Sequence, residues 1–171
     1  FKDIVSGKRA CGLFEENYLI LRNRIKPVSF LWLHFFAACF FFDQGEYKEA
    51  EAVIDRVFRF EEVKIDLLVN LKVIRLMSIY LQGNEMSGFG IVLKATENYV
   101  DAKSRTDYSV QKRVISAIQS LYQQRYEFSN ALETWTTTME DLKVEKSLEI
   151  NKRTFEMVDY LCYFERLRPN F

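Results

Sequence analysis

One stretch constrains the fold of this chain more than any other: Ala38-x-x-Phe41-x-x-x-Gly45-x-Tyr47-x-x-Ala50-x-x-x-Ile54-x-x-Val57. Within 20 residues, small side chains and aromatics recur at helical spacing on both sides of a glycine-centred turn. This pattern reads as two antiparallel helices packed small-into-large, the unit from which helical-repeat arrays are built. A small residue in the second helix lets the first approach, and an aromatic fills the gap beside it.

Helical periodicity extends along the whole chain. The spacing predicts eight helices, over about 8–25, 28–43, 46–60, 64–82, 86–102, 108–125, 127–142 and 146–167. Pro27 separates the first two, Gly45 and Gly83-Asn84 stop the second and fourth, and Asp107 is placed to cap the sixth. The fourth is apolar around most of its circumference, as a helix buried between neighbours must be. Only six Gly and two Pro occur in 171 residues, too little turn chemistry for a β protein. Nothing divides the helices by linker or charge block, so one all-α domain over 1–171 is expected.

Charge and cysteine usage narrow the function classes. Lys+Arg and Asp+Glu are equal at 24 each, so no global field draws the chain to a duplex or an anionic membrane. Arg22, Arg24 and Lys26 read as cations at a helix C-terminus, and no nucleic acid is expected to bind this segment. Cys11, Cys39 and Cys162 are scattered and odd in number, and read as buried thiols of a reducing, cytoplasmic compartment. Phe30–Phe42 is the most apolar run, but its 13 residues fall short of the roughly 20 that span a bilayer, so no membrane insertion is expected. The chain starts at Phe1, which suggests the C-terminal part of a longer protein.

Little in the sequence points to catalytic or metal chemistry. His34 is the only histidine, and its apolar setting favours a core imidazole over a catalytic base. Metal-ligand spacings are absent from the sequence, and no cofactor is expected. Gly83-Asn-Glu-Met-Ser-Gly88-Phe-Gly90 lacks the Lys-Ser/Thr of a phosphate loop and follows a helix. The carboxylate pairs Glu61-Glu62 and Glu140-Asp141 read as solvated helix ends.

The turns expose a period: Gly83 follows Gly45 by 38 residues, and Tyr126 takes the same place 43 residues on. Ile118, Tyr122, Ala131 and Trp135 stand where Ala37, Phe41, Ala50 and Ile54 stand earlier. In the middle copy Gly88, Val92 and Ala95 fit, and Ala10 and Phe14 offer the spacing of Ala50 and Ile54. On these residues the chain resembles a tetratricopeptide repeat protein over about 8–142. His34 stands where that family often has Trp, and the period exceeds the usual 34.

The resemblance implies antiparallel helical hairpins stacked as a right-handed α-solenoid, and a non-catalytic scaffold that binds a protein or peptide on its concave face. In the family the first helix of each pair lines that face. Carried over, this places Trp32, Phe35, Cys39 and Phe42 there, then Val73, Met77 and Tyr80, then Arg113, Ser116, Ser120 and Gln123. The alternative it leaves open is a regulatory or sensory module attached to an upstream effector domain.

Overall fold

The structure is a computed structural model that describes residues 4–57, 65–83, 88–103 and 108–169. Asp107, Asn84 and Glu61-Glu62 lie outside the described residues, as does most of the glycine-rich turn before residue 88. Among the described residues there are ten α-helices and no strand. The chain divides into two compact units, Phe1–Arg75 and Leu76–Phe171, the boundary falling inside one helix, α5 (Ile65–Gln82).

The first unit opens with α1 (Ile4–Glu16) and α2 (Tyr18–Arg24), where the periodicity predicts one helix. The interruption falls at Asn17, whose φ of −104° and ψ of 13° leave the helical range. Its Nδ2 and its backbone N–H both donate to the Leu13 carbonyl, at 2.9 and 3.1 Å. The backbone bond from Leu21 N to Asn17 O, 2.9 Å, carries the chain on. Pro27 then occupies the first turn of α3 (Pro27–Asp43), where its missing N–H costs nothing.

Gly45 ends α3 with φ +76°, a left-handed conformation that favours glycine. Gly45 N donates to Phe42 O and Glu46 N to Phe41 O, at 3.0 and 2.9 Å, the paired bonds of a Schellman turn. That turn reverses the chain into α4 (Tyr47–Val57), which packs on α3 with Ala50, Val53, Ile54 and Val57 buried. Helix α1 also packs on α3, at Gly7 and Phe40. Here the register departs from the expected one, because Gly7 and Cys11 are buried and Ala10 is exposed. The small residue at the close approach is therefore Gly7, one turn earlier than Ala10. Ion pairs tie the edges: Arg56 grips Glu15 through two bonds of 2.7 and 2.8 Å, and Arg75 of α5 reaches Asp55 at 2.7 Å.

The second unit continues from Leu76 through α6 (Phe89–Ala102), α7 (Ser109–Gln123) and α8 (Phe128–Ser147). Gly83, at φ +61°, follows the end of α5. Helix α6 turns Phe89, Leu93, Thr96 and Val100 inward, whereas Gly88 and Ala95 are exposed, so the middle copy's expected contacts are not the ones made. Helices α6 and α7 pack together, as do α7 and α8, the latter pair with Ile118, Leu121 and Ala131 buried.

The eighth predicted helix is absent as a single element. After α8 come a 3-10 turn (Glu149–Asn151), α9 (Lys152–Met157) and α10 (Tyr160–Glu165). Val158 is extended, and the Asp159 carboxylate accepts from Cys162 N at 3.4 Å, capping the new helix. The break allows Phe155, Tyr160 and Phe164 all to be buried. Trp135 of α8 donates its Nε1–H to the Phe164 carbonyl at 3.2 Å and fastens α10 to α8.

Candidate functional site

Helix α3 carries the aromatic end of the expected surface. Its 17 residues are apolar except Ser29, His34 and the terminal Asp43, so composition alone cannot say which side faces solvent. The structure buries Phe35, Cys39 and Phe42. These three cannot line an open groove, because their faces of the helix are occupied by packing. Of the four expected residues Trp32 alone is partly open. The exposed side runs instead through Val28, Leu33 and Phe36, 46%, 36% and 49% accessible, with Trp32 beside them. Trp32 stacks on Phe36 at 5.5 Å and 26°. The missed signal was Ser29: a lone neutral hydroxyl, with Trp32, Leu33 and Phe36 at helical steps after it, marks the wet face.

His34 points the opposite way, fully buried against the rings of Phe14, Tyr18 and Phe30 at 5.0, 5.6 and 4.5 Å. Its Nδ1 lies 2.9 Å from the Phe30 carbonyl. Burial pushes its pKa below the ordinary histidine value, against the hydrogen bond to Phe30. An imidazole so enclosed is out of reach of substrate and serves as core. Burial likewise raises the Cys11 thiol, with Glu15 and Glu46 adding to the effect. Cys39 is buried too, but Cys162 is exposed on α10, contrary to the expectation of three buried thiols.

On α5, Val73 and Met77 are completely buried, whereas Tyr80 is half-buried with its ring 6.1 Å from that of Phe89. Neither Val73 nor Met77 therefore reaches a partner. The reason is the one that applies to α3: both helices are apolar almost all round, and rules about which face is concave do not register what packs over it.

The polar end behaves differently. Arg113, Ser116 and Ser120 line a shallow cleft of about 410 Å³ between α7 and α8, with Thr134, Thr138 and Asp141 facing them. Gln123 is exposed but is not among the lining residues. The Arg113 guanidinium donates to Asp141 at 2.5 Å and to Glu145 at 3.1 Å. Both arms are thus engaged in holding α7 to α8, and Lys112, which also lines the cleft, pairs with Asp101 at 3.1 Å.

Among the described residues, no group of three or more His, Cys, Asp or Glu stands where it could hold a metal ion, and no helix is long and apolar enough to cross a membrane. Comparison with protein-family models, with curated proteins and with solved structures finds no match to this chain.

Proposed function

We propose that this chain is a non-catalytic protein-interaction scaffold, built of tetratricopeptide-like hairpins stacked as a right-handed α-solenoid, whose partner docks on the outer face of α3. The observation that carries the reading is the exposed Trp32–Phe36 stack with Val28 and Leu33 beside it. Stacked aromatics are stiff, already ordered and part-desolvated, so a partner covering them gains apolar burial at low cost in side-chain entropy. Their spacing at i, i+4, i+5 and i+8 presents a continuous apolar stripe to an amphipathic helix or an extended segment. The nearest-neighbour pairing of α3 with α4, and of α6 with α7 and α7 with α8, supports the repeat reading.

Replacing Phe36 by Ser tests the assignment at an exposed position. Aromatic anchors of this kind are worth about 2 kcal/mol or more, or roughly thirtyfold in affinity. Phe36→Ser should lose partner capture while its helical circular dichroism matches the parent. Undiminished capture by Phe36→Ser and by Trp32→Ser places the partner elsewhere. A substrate turned over by the purified chain contradicts the non-catalytic part of the proposal.

A further inference from the structure

Cations stand at one end of the apolar stripe on α3. From Asn17 to Phe42 the sequence holds no Asp or Glu, against 24 in the whole chain, while Arg22, Arg24 and Lys26 follow one another at every second position. The dipole of α2 accounts for Arg22 and Arg24, which fall in its last turn, but Lys26 lies beyond it, immediately before α3. Lys26, Ser29, Leu33 and Phe36 fall at steps of three and four, so Lys26 heads the exposed side of the helix.

Arg24 and Lys26 are exposed, and among the described residues neither takes part in an ion pair. Elsewhere in the first unit cations are matched, Lys8 by Glu46 and Arg56 by Glu15. Of the acids nearest in sequence, Glu15 is thus engaged, and Glu16 lies at the far end of α2 from Arg24. The stripe is also short. Val28 to Phe36 is about 12 Å along the axis, and the next residues at helical steps, Cys39 and Phe40, are buried. A stripe of about two turns with charge at one end fits a linear segment. A bilayer is met by cations spread around an apolar patch, and single-stranded nucleic acid by open aromatic faces, whereas Trp32 and Phe36 stack on each other.

We infer that the segment docking on α3 is acidic at one end: a short amphipathic helix whose Asp or Glu residues face Arg24 and Lys26 and whose apolar side covers Val28, Trp32, Leu33 and Phe36. This rests on the reading of α3 as the docking face and adds the chemistry of the partner. The apolar stripe supplies most of the affinity, and the exposed charges supply selectivity and rate of encounter. A basic segment sets like charges against Arg24 and Lys26 and is rejected on that ground.

Three fluorescein-labelled peptides of about 16 residues, long enough to form a helix, are the probes. They share one amphipathic apolar run and carry paired Glu, Gln or Lys at one end, and each is titrated by fluorescence anisotropy into the 171-residue chain at low salt. The Glu peptide should bind about fivefold more tightly than the Gln peptide, and the Lys peptide more weakly than either. Combining Arg24→Glu with Lys26→Glu should reverse that order, with circular dichroism matching the parent because both positions are exposed. Phe36→Ser should weaken the Glu peptide about tenfold or more. Equal binding of the three peptides, all weakened by Phe36→Ser, overturns the acidic partner and leaves α3 as the docking face. An order that the charge reversal does not move also overturns the inference. If the Glu peptide binds and Phe36→Ser has no effect, both readings fail. Absence of binding by every peptide overturns the inference, while the docking face keeps its own test in partner capture by Phe36→Ser. Tighter binding to vesicles containing phosphatidylserine, or to oligodeoxythymidine, overturns it in favour of a bilayer or a nucleic acid.

Discussion

Replacing Gly7 by Ala probes the contact of α1 with α3, and Gly12 of the same helix supplies an internal control. In a helix interior Ala is favoured over Gly by about 0.8–1.0 kcal/mol, so each substitution begins with the same gain. At Gly12 an added Cβ meets nothing within 4 Å, and Gly12→Ala should keep that gain. At Gly7 the methyl would stand 2.7 Å from Phe40 Cδ2 and 2.9 Å from Cζ, with Cε2 closer still. Phe40 is fully buried, so in a close-packed interior its ring can give way only by displacing its neighbours. Overpacking of this sort costs about 1–3 kcal/mol. The propensity terms cancel between the two variants, so Gly7→Ala should be less stable than Gly12→Ala by about 1–3 kcal/mol, the overpacking cost itself. Urea unfolding followed by circular dichroism measures the difference directly. Equal stability of the two variants would refute the packing of Gly7 on Phe40, and with it the corrected register of α1.

Two other perturbations test the core of the first unit. Ala50 is fully buried where α4 packs on α3, and Ala50→Leu should cost about 1–3 kcal/mol in the same urea assay; unchanged stability would refute the small-into-large packing of that hairpin. His34 has a folded pKa below its unfolded value of about 6.5, so the unfolded chain takes up the proton first as pH falls. Stability is then present above about pH 6.5 and is lost toward the lowered folded value, with a slope of up to about 1.4 kcal/mol per pH unit. As His34 is the only histidine, His34→Phe should flatten the slope between about pH 7 and 5, and an unaltered slope would contradict the buried neutral imidazole.

Features set by local backbone chemistry were legible in the sequence. Pro27 opens α3 and Gly45 closes it, because a fixed φ and a positive φ are each properties of one residue type. Ala50 and Ala131, the small residues placed between large ones at helical spacing, are buried. The facing of α3 was not legible in the same way. In a helix of Phe, Leu, Trp, Ala and Cys every side looks like core, and the choice between Phe35 and Phe36 was made by which neighbours pack against it. The interruptions at Asn17 and at Val158-Asp159 escaped for a related reason. Helical periodicity persists across both, while the break lies in the backbone angles of single residues, Asn17 and Val158, with the Asp159 carboxylate capping the helix that follows the second.

Docking of a partner on the outer face of α3, as proposed, is open to site-specific photo-crosslinking. A photoreactive phenylalanine analogue at position 36 should crosslink the captured protein at high yield. The same analogue at the adjacent, fully buried position 35 should crosslink only within the chain. Equal partner crosslinking from both positions, or crosslinking from 35 alone, would contradict the account.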